Sequence, residues 1–284
     1  MAGLFVRDLT VIDFSYLDSY RGVVGESWMA GIELQGELDD QSFVFDFGLV
    51  KKHLKRFLDD FIDHKLVVPE KYHDCTVLET TSQYEITFFN QQKEKYFYAA
   101  PKDSILLLPL REITLADVGN YLEKKISQIV PENVQKIQLS LHEEEIPTAY
   151  YHYSHGLKKH DGNCQRMVHG HRSKIEIYLD GKRAYEVEKK WVENWQDIYL
   201  VSEEDIHTIE KEKGYATLKS EYVCSQGKYY LEIPQKYTWT LPSDSTVECI
   251  SQYIADEVAK SHSKQKVKVL AFEGVNKGAI AFAG

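Results

Sequence analysis

The chain has 284 residues, 43% hydrophobic and 27% charged, with 19 Tyr, 3 Met and 7 Pro. That length is nearly twice the ~150-residue norm for one domain, so two compact units are expected; the composition excludes wholesale disorder, and its Tyr and Phe favour β-structure. The charge sum, 34 Lys+Arg against 44 Asp+Glu, is −10. It argues against general nucleic-acid binding but leaves room for a small anionic substrate in a local basic pocket. No apolar run of ~18 residues is present, so no membrane span is expected. The N-terminus, MAGLFVRDLTVIDF, carries Arg7 and Asp8 and lacks a signal-peptide core. Four cysteines (Cys75, Cys164, Cys224, Cys249) are too few for a disulfide framework, which points to reduced thiols and a cytoplasmic protein.

In chain order, Leu9–Phe14 reads as a strand, then an irregular stretch, then a strand at Gly31–Gln35. A long amphipathic helix follows from about Gly48 to Ile62, with Leu49, Leu54, Phe57, Leu58 and Phe61 on one face. A hairpin-like insert spans Tyr84–Tyr98. A helix capped by Thr114 carries Leu115, Val118, Leu122 and Ile126 at helical spacing, and an alternating strand, Val134–Leu141, precedes Glu143. The same order then recurs. Strands are read at Thr148–Tyr153 and Lys174–Tyr178, again with an irregular stretch between them. A helix around Lys189–Trp195 is shorter than its counterpart by roughly two turns, and a hairpin spans Glu221–Ile233. A helix capped by Thr246 leads to the strand Lys266–Ala271 and then Glu273. Two α+β domains with largely antiparallel sheets are expected, divided near residues 145–148, and no Gly/Ser- or Pro-rich linker separates them.

The segment His155–His171 carries the strongest chemical signal. His169 and His171 share a strand face, and His155 ends the neighbouring strand, so the three imidazoles can meet at one Zn²⁺ with a fourth position open. Surface histidines in a polar loop are the bland alternative, and His160 and His152 are rival ligands. Cys164, in the loop between them, is read as a thiolate base or nucleophile, a fourth ligand, or a buried small hydrophobe. Asp63-His64 follows the long helix; a carboxylate beside an imidazole suits general acid/base work, although a solvated helix end gives the same pattern. Glu143 and Glu273, each at a late strand end, suit two parallel N–H bonds from an amidine-like heterocycle, or are turn residues.

Together these residues resemble the 6-pyruvoyl-tetrahydropterin synthase / 6-carboxytetrahydropterin synthase family, as two tandem copies covering almost the whole chain. Tyr151-His-Tyr-Ser-His155 resembles the family's F-x-A-x-H, and Cys164-Gln-Arg-Met-Val-His169-Gly-His171 resembles its Cys…H-G-H. Thr246 and Glu248 resemble its P-T-x-E helix start. Phe45-Asp-Phe47 followed by Leu58-Asp-Asp-Phe-Ile-Asp63-His64-Lys-Leu66 resembles D-F…L-D-H-x-x-L. The resemblance implies two tandem tunnelling-fold (T-fold) modules, residues 1–146 and 147–284, each an antiparallel sheet with helices on one face. It implies His155, His169 and His171 as Zn²⁺ ligands, Cys164, Asp63 and His64 as catalytic, and Glu273 or Glu143, with Thr246 and Thr114, at the substrate. In the first half the zinc positions read Asp18, Glu26 and Trp28, with Arg21 near the cysteine position; in the second half the Asp-His positions read Asp197 and Ile198. Each half is incomplete, so a composite site, within or between chains, is expected.

The implied reaction is conversion of 7,8-dihydroneopterin triphosphate to 6-carboxytetrahydropterin on the queuosine (deazapurine) path, with loss of triphosphate. Alternatives are the pyruvoyl product, a non-catalytic pterin-binding scaffold, or an unrelated zinc hydrolase. Lys158, Lys159 and Arg166 are candidate triphosphate contacts. A homo-oligomer of three or two chains is expected, with no nucleic-acid or membrane partner.

Overall fold

The computed structural model describes residues 2–38, 47–212 and 214–284. Phe45 and Asp46 of the family-like D-F segment lie outside them, as do the side chains of Phe47 and Leu49. The first half comprises β1 (Ala2–Asp18), β2 (Gly22–Gly36), α1 (Phe47–Phe61), β3 (Leu66–Pro69), β4 (Cys75–Glu79), β5 (Gln83–Phe89), β6 (Lys95–Pro101), β7 (Ile105–Leu108), α2 (Leu115–Ile126) and β8 (Val134–Glu143). The second comprises β9 (Tyr150–His155), β10 (His169–Leu179), β11 (Lys182–Arg183), α3 (Tyr185–Asn194), β12 (Ile198–Ser202), β13 (Ile206–Glu212), β14 (Tyr215–Cys224), β15 (Gly227–Pro234), β16 (Thr238–Leu241), α4 (Val247–Ser261), β17 (Val267–Phe272) and β18 (Gly278–Ala283).

The halves build matching sheets, β7-β3-β1-β2-β8 and β16-β12-β9-β10-β17-β18, with β11 on β10. Helices cover one face of each. Leu54, Leu58, Val118, Leu122 and Ile126 pack on Ile12, Phe14, Trp28 and Ile32; Ile250, Ile254 and Val258 pack on Tyr151, Ile175 and Val269. Each such buried aliphatic contributes about 1.5–3 kcal/mol. Thr114 and Thr246 are N-caps, accepting from Asp117 N and Cys249 N at 3.1 and 3.3 Å, which satisfies donors the first helical turn leaves orphaned.

Three expectations change. The first half has no irregular stretch between its first strands: β1 turns into β2 through residues 19–21, with Asp18 Oδ1 accepting from Tyr20 N and Arg21 N at 2.8 Å. The sheets are mixed, because β3 and β7 run parallel to β1, as β12 and β16 do to β9. Helix α3 has 10 residues against 15 in α1, a deficit of about one and a half turns rather than two.

The inserts join the halves. β6 pairs with β15 (Leu231 opposite Tyr98), making one six-stranded sheet, β13-β14-β15-β6-β5-β4. Beneath it a single core mixes the halves: Leu66, Val68, Phe88 and Tyr98 pack with Met167, Val168, Tyr199 and Leu231.

Above this core the two main sheets touch. Ser15 Oγ meets Ser154 Oγ at 2.7 Å, and His152 Nδ1 donates to Gly25 O at 2.8 Å. A Cβ on Gly25 would lie 1.8 Å from Tyr153 O; one on Gly170 would lie 2.3 Å from Tyr153 O and 2.6 Å from Gly25 Cα. Only glycine fits at either place. Gly170→Ala should therefore destabilise the protein by about 3 kcal/mol, the upper end for overpacking, read as a fall in denaturant midpoint; an unchanged midpoint would refute the close approach.

Candidate metal and acid–base centre

His155 and His169 are opposite one another across β9 and β10, and His171 is opposite Tyr153. Their ligand nitrogens lie within 4.8 Å of one another, and all three rings are buried. Each Nδ1 already faces an acceptor. His155 Nδ1 donates to Ser245 O (2.9 Å), His169 Nδ1 donates to Arg166 O (2.8 Å), and His171 Nδ1 lies 3.2 Å from Asp13 Oδ1. For His155 and His169 that fixes the tautomer and leaves Nε2 as the free lone pair; Nε2 of His155 and both ring nitrogens of His171 are buried without a hydrogen-bond partner. Burial holds His155 and His169 well below the usual imidazole range, so they are neutral, as metal ligation requires. Buried nitrogens this close together and without partners form a group that could hold a metal ion.

The first half supplies the neighbouring groups. His64 lies at φ 55°, a strained conformation for a residue other than glycine, and its N–H donates to Asp13 O at 2.7 Å. Its Nδ1 is 2.6 Å from Asp63 Oδ2, while Asp63 Oδ1 accepts from Asp13 N at 2.8 Å. The His64 ring sits 5.0 Å from the His169 ring, and ligand atoms of His64, Cys164 and His169 lie within 4.8 Å of one another. Burial opposes protonation of His64, but hydrogen bonds to Asp63 and Cys164 outweigh it and push its pKa up to about 10. Asp63, His64, Cys164 and the three histidines therefore meet within one chain.

The other predicted residues divide. Glu273 immediately follows β17, and its N–H donates to Lys277 O. The turn it opens returns to this centre: Lys277 Nζ lies 3.1 Å from Asp13 Oδ2, and a Cβ on Gly274 would lie 2.5 Å from Asp13 Oδ1. Glu143 is the last residue of β8 and lies 3.7 Å from Arg172. Thr246 follows Ser245, which touches His155; Thr114 caps a helix of the other half. Of the rival ligands, His160 is exposed with Nδ1 on Asp161 O, and His152 faces Gly25. Lys158 and Lys159 are already paired with Asp205, Glu204 and Asp244, and Arg166 is buried with Nη1 on Asp63 O.

Strand register corrects the comparison of the halves. Ser15 is opposite Leu66, and Ser154 is opposite Tyr199. His64 thus corresponds to Asp197, at φ 55° and 54°, and Asp63 to Gln196. His155, His169 and His171 correspond to Tyr16, Val24 and Glu26, because Tyr16 is opposite Val24 and Phe14 opposite Glu26. Asp18 and Trp28 are not the equivalents; Asp18 serves the β1–β2 turn. In this second location Arg21 forms a two-pronged pair with Asp197 (2.9 and 2.5 Å) and approaches Tyr16 Oη at 3.4 Å.

A family model described as 6-pyruvoyl tetrahydropterin synthase matches residues 15–154 and again 145–279. The chain belongs to this family. It is a family of lyase-type pterin synthases, present here as two tandem T-fold modules. Among relatives, a protein of Pyrococcus abyssi provisionally named 6-carboxy-5,6,7,8-tetrahydropterin synthase is 21% identical over 52% of this chain and 83% of its own length. Its Pyrococcus horikoshii namesake is 20% identical over 49% and 78%. A solved 6-pyruvoyltetrahydropterin synthase from Plasmodium vivax aligns at 16% identity over 52% of this chain and 93% of its own, with a TM-score of 0.42. Among the described residues, no helix is long and apolar enough to cross a membrane.

Glu26 supplies a test of the second location. Burial, with Glu143 nearby, raises its carboxyl from 4.5 to about 8, against a Ser27 N–H bond and the Arg172 and Arg21 charges. Burial and Arg21 push His152 down to about 4. The 3.7 Å Glu26–His152 contact is thus between neutral groups at intermediate pH rather than an ion pair. A carboxyl whose folded pKa is raised contributes stability present below 4.5 and lost as pH rises through about 8. Glu26→Gln should flatten that decline in denaturation curves across this window; equal slopes in both proteins would refute it.

Proposed function

We propose that this chain is a zinc-dependent pterin synthase that converts 7,8-dihydroneopterin triphosphate to 6-carboxy-5,6,7,8-tetrahydropterin, with loss of triphosphate and acetaldehyde, on the queuosine path. The observation that carries this reading is the meeting, in one chain, of three buried imidazoles from the second half with Asp63-His64 from the first. The Pyrococcus names favour the carboxy product. The boundary between modules is placed at 146/147, between β8 and β9.

His155, His169 and His171 would hold Zn²⁺ through Nε2, a set of three protein ligands with one position left open. The ion would supply Lewis acidity toward a substrate oxygen. Asp63 orients His64 and keeps its proton on call. Cys164, partly exposed beside His64, exchanges a proton with the substrate. Glu273 is the better pterin anchor, because its turn packs on Asp13 beside the centre; Glu143 serves the second location. Thr246 flanks the pterin edge, and Thr114 is the corresponding cap of the first module. Further chains would join through the terminal strands of the sheets, giving a homo-oligomer of two-module chains in the cytoplasm.

The purified chain should carry one zinc per chain by elemental analysis and release triphosphate from dihydroneopterin triphosphate. His155→Ala should lose the metal. His64→Ala should keep it and lose about 10²–10⁴-fold in turnover. Full activity of His64→Ala would refute the composite site, and zinc without turnover of any pterin would leave a binding protein. Product mass spectrometry separates the carboxy from the pyruvoyl outcome. Light scattering should give a multiple of the chain mass; a stable monomer would contradict the assembly.

A further inference from the structure

Asp13 has no part in the family-like motifs, yet it reaches both His171 and the Asp63-His64 pair. It sits in β1 of the first half and is almost fully buried. Its Oδ1 lies 3.2 Å from Nδ1 of His171, across the boundary between the halves. The same oxygen accepts from Ser27 Oγ at 2.5 Å, and Oδ2 takes Lys277 Nζ at 3.1 Å. Its backbone is equally committed: the N–H donates to Asp63 Oδ1, and the C=O accepts from His64 N–H. One residue thus faces a histidine of the metal cluster with its side chain and holds the acid–base pair with its main chain.

The second location repeats this contact with acid and base exchanged. Register makes His152 the counterpart of Asp13 and Glu26 the counterpart of His171. His152 Nδ1 lies 3.7 Å from Glu26 Oε2. The approach of this strand position to its partner sheet is therefore a product of how the sheets meet, used once with a carboxylate beside a metal-cluster histidine and once without a metal cluster.

We propose that Asp13 is a positioning residue that fixes the tautomer and orientation of His171 and ties it to Asp63-His64, so that the first half sets the metal affinity of the second. This rests on the zinc reading of the three histidines. A carboxylate on the far nitrogen of a ligating imidazole orients the ring and makes it a stronger donor, and removing such a partner costs about 10- to 100-fold in affinity.

The full chain, stripped and reloaded with Zn²⁺ or Co²⁺, tests it by chelator competition and by the visible absorption of the cobalt form. Asp13→Ala should bind zinc about 10- to 100-fold more weakly, with a changed cobalt spectrum. Asp13→Asn keeps an acceptor oxygen without the charge and should recover part of the affinity. Asp197→Asn, which breaks the Arg21 pair at the second location, should bind as the parent does. If Asp13→Ala keeps parental affinity and spectrum while His155→Ala loses the metal, the proposal fails and the zinc reading stands. If the parent takes up no zinc, both fail. Should Asp13→Ala not fold, the near-isosteric Asp13→Asn decides alone: parental affinity overturns the proposal, and several-fold weaker binding supports it.

Discussion

Everything at the centre depends on how closely two sheets approach. Gly25 and Gly170 bring backbone against backbone, and around them only small or hydrogen-bonding groups intervene: Ser15 on Ser154, His152 on Gly25 O, and Ser27 Oγ accepting from Arg172 N. An ordinary apolar interface would hold the sheets ~10 Å apart. At that spacing neither Asp13 nor His64 would arrive at the histidines. The polar contact is tolerable because its buried groups find partners across it, and because the joint core under the hairpin sheet supplies the apolar burial that holds the halves together.

A symmetric approach creates two equivalent locations, and the sequence treats them differently. One collects three imidazoles, a thiol and an Asp-His pair. The other has Tyr16, Val24 and Glu26 where the histidines would be, with Arg21 and Asp197 beside them. Burial without a cation would strand Asp197 as an uncompensated charge, which is costly. The Arg21 guanidinium removes that cost with a two-pronged bond, and Glu26 avoids it by staying protonated beside a neutral His152. The second location is thus stable without a metal.

The elements that rest on local chemistry were readable in the sequence. Periodicity and Thr caps gave α2 and α4, and the spacing of His169, His171 and Cys164 gave the cluster. What escaped depended on register between distant strands. The halves join their first two strands through three residues in one case and thirteen in the other. Counting along the chain therefore placed Asp18, Glu26 and Trp28 where the sheet places Tyr16, Val24 and Glu26. Asp13 carried no signal, since a polar residue in an alternating strand reads as solvent-facing. Lys158 and Lys159 resembled anion contacts because the acids that neutralise them, at 204, 205 and 244, are far away in sequence.

Fusion changes what such an interface can hold. Two identical modules meeting in this way must place the same residue at the positions of Asp13 and His152, and the same at His171 and Glu26. A carboxylate at both copies of the first position would then face whatever both copies of the second carry. Asp opposite His would then stand at both contacts, or His opposite Glu at both. Joining the modules in one chain lets the sequence vary each position separately: Asp13 against His171 beside the cluster, and His152 against Glu26 away from it. The two contacts of a symmetric approach can then differ in charge, one beside the three imidazoles and one beside the Arg21–Asp197 pair. A carboxylate–imidazole contact is thereby kept where the three imidazoles gather, and the other contact, relieved of that role, keeps only what its own burial requires.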